Sequence, residues 1–152
     1  TAILFAAACE VAATHCGGTA AQRDALRLYG RHVGVAFQLV DDALDYTGDA
    51  ATLGKNVGDD LAEGKPTLPL IYAMRTGTPA QAELIATAIR NGDASQLPAI
   101  LDIVQATGGM TYTLDAAKAQ VQSAIAQLQH LPDNLYTRAM KELAEFSLAR
   151  SF

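Results

Sequence analysis

The sequence predicts an all-α protein made of helices separated by short loops. Half of its 152 residues are hydrophobic, and alanine, leucine and glutamine are abundant, which favours helix. No stretch alternates between apolar and polar residues over the length of a strand. Glycine and proline divide the chain into segments of helical length. We therefore expect residues 1–152 to form a single all-α domain with a sizeable core.

The first half of the chain is predicted to contain two helices and a long loop. The first helix should end near His15, before Gly17-Gly18. Thr19 and Gln22 have the spacing of a capping box and should begin a long helix that reaches about Tyr46, with Gly48 ending it. The apolar face of that helix is expected at Leu26, Gly30, Val33, Phe37, Val40 and Leu44. Residues 48–66 are predicted as a charged, glycine-rich loop, and loops of that length are usually functional or disordered.

The second half is predicted to contain five more helices. Thr78 should cap one of them, with Pro79 at its first position, and Ser95 should cap the next. The expected bounds are residues 67–74, Pro79 to Asn91-Gly92, Ser95 to Gly108-Gly109, 111–129 and 133–149.

Charge and cysteine content restrict the classes of partner. The formal net charge of −5 argues against nucleic acid or an anionic membrane as the main partner. Cys9 and Cys16 are separated by roughly 10 Å of helical rise, too far for a disulfide, which favours a reduced, cytoplasmic protein. With His15 they match no zinc spacing, and packing is the default role. No segment is predicted to span a membrane.

The chain begins without methionine and already inside a helical pattern. An apolar helix that begins this abruptly, with no cap before it, indicates a piece of a longer protein.

The stretch FQLVDDALDYTGD at residues 37–49 places several acids at the end of a helix. Asp41 and Asp45 are four residues apart and share a helix face with Phe37 and Gln38. Acids there repel one another and oppose the negative end of the helix dipole. Clustered carboxylates suit a hard divalent cation, Mg²⁺ or alternatively Mn²⁺. A simply solvated acidic helix end is the competing interpretation.

The loop that follows supplies glycines and lysines. Lys55 follows Gly54, Asp59-Asp60 follow Gly58, and Lys65 follows Gly64. Glycine lets the backbone approach a ligand closely, and lysine offers a compact charge to phosphate. The loop is not a P-loop. It favours a diphosphate ligand, with flexible, solvated lysines as the alternative.

The combined motif FQLVDDALD and GKNVGDDLAEGKPTLPL resembles the second aspartate-rich region of trans-type polyprenyl diphosphate synthases, most closely the bacterial octaprenyl enzymes. The opening TAILFAAACE is similar to the family's helix that carries a Lys-Thr pair, with Thr1 as its threonine. The resemblance implies the C-terminal portion of a helical bundle around a central cavity. It also implies condensation of an allylic diphosphate with isopentenyl diphosphate, a product of the octaprenyl type used for a quinone side chain, and a homodimer.

The resemblance also implies residue roles. Asp41 should ligate Mg²⁺ directly, Asp42 and Asp45 should act through its waters, and Asp60 is an outer partner. Asp41, Asp42, Lys55 and Lys65 are the expected catalytic residues. The expected substrate-binding residues are Thr1, Phe37, Gln38, Lys55 and Lys65, of which the lysines should hold the allylic diphosphate.

The family's first aspartate-rich motif is missing from this sequence. We therefore expect an N-terminal half of the same enzyme to be needed for turnover. Two other functions stay open: a non-catalytic helical subunit of a heteromeric synthase, and a terpene cyclase. DDALD favours chain elongation over cyclisation.

Overall fold

A computed structural model of the protein describes residues 1–47 and 57–149. Helices account for most of these residues and no strand occurs among them, so the all-α prediction is confirmed. None of the described helices is both long and apolar enough to cross a bilayer. The described chain clusters into two compact units, one of Thr1–Val40 and the residues from Ala116 onward, the other of Asp41–Asp115. The prediction that residues 1–152 form one domain of a longer protein stays a prediction.

The first unit is built around the N-terminal helices. Helix α1 spans Ala2–His15 and α2 spans Ala20–Thr47, the last residues of which belong to the second unit. Close packing of α1 on α2 requires glycine, because a Cβ at Gly30 would lie 2.4 Å from the carbonyl oxygen of Phe5. The core of this unit consists of Tyr29, Val33, Ala36, Val121, Ala124 and Ala144.

The second unit contains most of the short helices. In chain order its helices are α3 (Asp59–Ala62), α4 (Leu68–Thr76), α5 (Pro79–Asn91), a 3₁₀ turn (Ala94–Gln96), α6 (Leu97–Thr107) and the start of α7 (Gly109–Gln127). Its core is formed by Tyr46, Leu61, Leu70, Ala73, Ile85, Ala88, Ile100, Ile103 and Val104. The remainder of α7, a 3₁₀ turn (Leu128–His130) and α8 (Leu135–Phe146) belong to the first unit.

The predicted caps of α2 and α5 are confirmed. The Thr19 hydroxyl accepts the Gln22 N–H at 3.2 Å, and the Gln22 side chain accepts the Thr19 N–H at 2.9 Å. Thr78 and Gln81 make the same reciprocal pair before α5. Such pairs satisfy backbone donors that the first turn of a helix leaves open.

Several predicted boundaries are wrong, because residues next to the expected ones make the capping bonds and a buried helical turn forms inside the predicted loop. The loop predicted at 48–66 contains α3 in its described part, and Gly48 lies outside the described residues. Asp93, rather than Ser95, caps the segment that follows α5, accepting the Ser95 N–H at 2.8 Å. Gly109 begins α7 instead of separating helices. The last helix begins at Leu135, where Asn134 caps it.

The predicted apolar face of α2 is only partly correct. Gly30, Val33 and Val40 are buried, but Leu26, Phe37 and Leu44 are half-buried. The most buried positions include three alanines and a tyrosine: Ala25, Tyr29, Ala36 and Ala43. Small side chains there let neighbouring helices approach closely, which large apolar residues would prevent.

The cysteines behave as expected. Both are free thiols; Cys16 is exposed, and the half-buried Cys9 packs against the core of the first unit. Burial raises the pKa of the Cys9 thiol, so it is less reactive than an ordinary cysteine.

Candidate functional site

The last two turns of α2 carry the predicted acids. Asp41, Asp42 and Asp45 are all half-buried, and Tyr46, which follows them, is buried in the core of the second unit. Helical spacing keeps Asp41 and Asp45 on one face of α2, as their separation of four residues requires.

Asp45 is joined to the segment that begins α3. The Asp60 backbone N–H donates to Oδ2 of Asp45 at 3.1 Å, and the Gly58 N–H donates to the Asp45 carbonyl oxygen at 2.9 Å. Gly58 has φ of 86°, a left-handed conformation that glycine adopts without a Cβ penalty. The chain therefore turns back onto α2 and brings Asp60 beside Asp45, although fifteen residues separate them.

The electrostatic environment of Asp45 favours a cation. Burial raises the pKa of the Asp45 carboxyl above its ordinary value, and the nearby charges of Asp60 and Asp59 raise it further. The Asp60 N–H acts in the opposite direction because it donates to the charged form. A positive ion at this carboxylate would offset both the burial and the repulsion.

Lys65 supplies a positive charge to the same group. Its Nζ lies 3.0 Å from Oδ1 of Asp60 and 2.5 Å from Oε2 of Glu63, and these carboxylates raise the pKa of the lysine. The backbone N–H of Lys65 also donates to the Asp60 carbonyl oxygen at 2.8 Å. The Lys65 side chain is more than half exposed, so its ion pairs are weak and can be exchanged for another anion at small cost.

Two predicted substrate-binding residues of the first unit meet directly. The Thr1 hydroxyl donates to Oε1 of Gln38 at 3.3 Å, which joins the start of the chain to α2. The Phe37 ring packs 6.0 Å, centroid to centroid, from the ring of Phe5. Lys55 lies outside the described residues, so its predicted role stays a prediction.

The donor set of the second unit fits a hard divalent cation. Within residues 1–47 and 57–149, no group of three or more acids, histidines or cysteines converges as a metal cage would need. Mg²⁺ commonly keeps several waters and binds only one or two carboxylates together with phosphate oxygens. The half-buried Asp45 carboxylate, which accepts the Asp60 backbone N–H, offers oxygens of that kind.

Sequence reasoning missed three residues at this site: Tyr46, Glu63 and Thr67. The Thr67 hydroxyl donates to the Tyr46 hydroxyl at 3.0 Å, and both side chains are buried. Burial raises the pKa of Tyr46 strongly, which keeps its hydroxyl neutral. The available signal was sequence position: Tyr46 follows Asp45 directly, and Glu63 and Thr67 lie two residues before and after Lys65.

The described part of the chain is largely helical and brings the half-buried Asp45 and Asp60 beside the exposed Lys65. Comparison with known proteins gives the family. The family model described as "Polyprenyl synthetase" matches residues 1–105. The chain belongs to the polyprenyl synthetase family.

The curated relatives that match this chain are named as prenyl diphosphate synthases. An octaprenyl diphosphate synthase of Haemophilus influenzae is 47% identical over 153 residues, covering 100% of this chain and 46% of the relative. An all-trans-nonaprenyl-diphosphate synthase (geranyl-diphosphate specific) of Rhodobacter capsulatus is 45% identical and covers 99% of this chain and 46% of its own length. The chain thus spans about half the length of the curated relatives it matches.

Solved structures share the fold. A polyprenyl synthase from Caulobacter crescentus, complexed with calcium and isoprenyl diphosphate, aligns with a TM-score of 0.87 and 42% identity. The alignment covers 97% of this chain and 45% of that one. A decaprenyl diphosphate synthase from Rhodobacter capsulatus aligns with a TM-score of 0.89 and 36% identity, over 98% of this chain and 46% of that one.

Proposed function

We propose that this chain supplies the second aspartate-rich, Mg²⁺-diphosphate site of an all-trans polyprenyl diphosphate synthase. The observation that carries the proposal is the linked set Asp45, Asp60 and Lys65, in which two acids and a lysine are joined by hydrogen bonds. The substrates are an allylic polyprenyl diphosphate and isopentenyl diphosphate, and the product is of the octaprenyl type. The relatives named as octaprenyl diphosphate synthases support this choice.

The acids bind the metal ion and the lysines bind the diphosphate. Asp41 ligates Mg²⁺, with Mn²⁺ as a possible substitute, and Asp42 and Asp45 hold it through bound water. When bound, the metal neutralises charge on the departing diphosphate. Lys65, together with Lys55, holds the allylic diphosphate electrostatically.

The residues of the first unit complete substrate binding. Gln38 and Thr1, which are hydrogen-bonded to each other, contact diphosphate through their polar side chains. Phe37 lines the isopentenyl side.

Activity depends on more chain than these 152 residues. The relatives are about twice as long, and the first aspartate-rich motif of the family is absent from this sequence. We propose that the missing half of the same enzyme provides it and that the whole enzyme works as a cytoplasmic homodimer.

A chimeric enzyme tests the proposal. In the octaprenyl diphosphate synthase of Haemophilus influenzae, the matched segment is replaced by this chain, and isopentenyl diphosphate incorporation is measured. The chimera should elongate an allylic diphosphate. Asp41→Ala in the chimera should lower turnover by at least about 100-fold, the scale of losing one electrostatic group at a reacting centre, with little change in melting temperature.

Asp24→Ala is the matched control, because Asp24 is an exposed acid near the beginning of the same helix, paired with Arg27. It should leave turnover within about twofold of the parent chimera, since surface substitutions of this kind are nearly neutral. If the folded chimera is inactive while it still dimerises, the non-catalytic subunit becomes the better interpretation. If Asp41→Ala retains turnover, the metal role of Asp41 is wrong.

A further inference from the structure

Thr67 uses its hydroxyl in an unusual way for the residue that precedes a helix. Thr67 and Thr78 both occupy the N-cap position, have nearly the same backbone angles and are followed by a helix with proline in its first turn. The Thr78 hydroxyl accepts the Gln81 N–H, as an N-cap threonine commonly does. The Thr67 side chain makes no cap bond to its helix and donates to Tyr46 instead. The Thr67 hydroxyl thus makes a contact twenty-one residues away and no local cap bond.

The bond between Thr67 and Tyr46 closes a continuous circuit around Lys65. The Thr67 N–H donates to the Lys65 carbonyl oxygen at 3.1 Å, and the Lys65 N–H donates to the Asp60 carbonyl oxygen at 2.8 Å. The Asp60 N–H donates to the Asp45 carboxylate at 3.1 Å, and Asp45 is followed directly by Tyr46. The backbone of Lys65 is thus tied on both sides, and both ties return to the end of α2.

Burial makes the Tyr46–Thr67 bond the most persistent side-chain contact of this circuit. Tyr46 is 6% exposed and Thr67 is 7% exposed, whereas the Lys65 side chain is 56% exposed. A buried hydroxyl that loses its partner keeps its desolvation cost, so this bond persists while the exposed lysine pairs exchange. The circuit can therefore fix the backbone from which Lys65 extends without immobilising its ammonium group.

We propose that Tyr46 and Thr67 are positioning residues that hold the backbone of Lys65 in place beside Asp60 for diphosphate binding. This inference rests on the proposed function, in which Lys65 binds the allylic diphosphate. Neither hydroxyl touches the ligand; both act through Lys65.

The test measures binding of Mg²⁺ with inorganic pyrophosphate to the 152-residue chain by calorimetry. Tyr46→Phe and Thr67→Val each remove one hydroxyl and should each weaken binding by about fivefold to tenfold, the equivalent of one hydrogen bond. Because both remove the same bond, the double variant should be no weaker than either single variant. Thr67→Ser keeps the hydroxyl and should bind within about twofold of wild type.

Tyr29→Phe is the matched control for a general loss of stability. Tyr29 is also a buried tyrosine, and its hydroxyl donates to the Met140 carbonyl oxygen at 2.7 Å. Tyr29 and Met140 both belong to the first unit, whereas Tyr46 and Thr67 belong to the second. This variant should melt at a lower temperature but bind pyrophosphate like wild type.

A second background separates positioning from a structural effect. In a chain that already carries Lys65→Ala, adding Tyr46→Phe should weaken binding no further, because the residue through which Tyr46 acts is gone. Amide hydrogen exchange at Lys65 should be faster in Tyr46→Phe than in Tyr29→Phe.

Three outcomes contradict the proposals in distinguishable ways. Wild-type binding in Tyr46→Phe, with weakened binding in Lys65→Ala, overturns this inference alone. Equal weakening by Tyr46→Phe with and without Lys65 also overturns it. Absence of binding by the wild-type chain at millimolar pyrophosphate and Mg²⁺ overturns the proposed site, and this inference with it.

Discussion

Asp60 contacts its neighbours through three different groups. Its backbone N–H reaches the Asp45 carboxylate, its carbonyl oxygen accepts the Lys65 N–H, and its side chain pairs with the Lys65 ammonium group. The sequence predicts only an outer partner of a metal at this position. The resemblance indicates which residue matters, but which of its atoms makes each contact depends on how the chain turns at Gly58.

Tyr29 offers a test at the residue scale that is independent of the proposed site. Burial, with a smaller contribution from Cys9, raises the pKa of Tyr29 from 10.0 to about 12. The folded state therefore keeps a proton that the unfolded state loses above pH 10. The stability from this group is fully present below pH 10 and declines as the pH rises towards 12. The melting temperature of wild type should fall more steeply over that range than that of Tyr29→Phe.

Below pH 10 the two curves should be parallel, with Tyr29→Phe less stable by about 0.5–1.5 kcal/mol because its part-buried hydrogen bond to the Met140 carbonyl oxygen is lost. Tyr136→Phe is the control for removing a tyrosine hydroxyl, since Tyr136 is 79% exposed and the substitution should change the melting temperature little. Identical slopes for wild type and Tyr29→Phe would show that Tyr29 does not titrate in this way.

At the scale of elements, α3 is formed by its surroundings. A helix of four residues is not stable by itself, because the first turn costs more entropy than its hydrogen bonds recover. Leu61 is fully buried in the core of the second unit, and the Ala62 carbonyl oxygen lies close to Gly92 at the end of α5. Packing against α5 therefore holds the segment that carries Asp60.

Two glycines that end helices give a matched test of this packing. Gly92 and Gly108 both have positive φ, 60° and 77°, and each follows the last residue of a helix. A Cβ at Gly92 would lie 2.6 Å from the Ala62 carbonyl oxygen, whereas a Cβ at Gly108 would meet nothing within 4 Å. Gly108→Ala should cost about 1–2 kcal/mol of unfolding free energy from backbone strain alone.

Gly92→Ala should cost roughly 1–3 kcal/mol more than Gly108→Ala, because strain and overpacking act together. Urea denaturation of the two variants measures the difference. Equal costs would mean that α3 is not held closely against the end of α5.

At the scale of the whole molecule, the chain matches its family along nearly all of its own length but along only about half of its relatives' length. The match to the polyprenyl synthetase family covers residues 1–105, while relatives and solved structures align over nearly all of this chain. The same alignments cover about 46% of the relatives. The chain therefore has the fold of the family over its whole described length and about half the residues of its members.

The chain alone should bind Mg²⁺-pyrophosphate weakly and should not transfer prenyl groups. One aspartate-rich site can hold one diphosphate, but joining two substrates requires both to be held in reacting geometry. Incorporation of labelled isopentenyl diphosphate into chain-elongated product measures this, with the chimeric enzyme as the positive control. Measurable prenyl transfer by the purified chain, free of any full-length synthase, would contradict the expectation.

The helices were largely predictable, and the site was predictable in its residue types. The capping pair Thr19–Gln22 and the cap at Thr78 followed by Pro79 are local signals, and both helices begin where these signals place them. The boundary at Gly109 was not predictable, because a glycine pair after a helix can end one helix and begin the next. The buried face of α2 was misjudged because alanines pack more deeply there than the larger leucines do.

The sequence by itself determined the all-α class and the shared helix face of Asp41 and Asp45, which follow from composition and from spacing along one helix. It also indicated the family, through the resemblance of the motif FQLVDDALD and GKNVGDDLAEGKPTLPL. Only the tertiary structure decided that Asp45 accepts the Asp60 N–H and that Thr67 bonds to Tyr46. These partners are fifteen and twenty-one residues apart. Their contacts depend on the turn at Gly58 and the burial of Leu61, which no local pattern encodes.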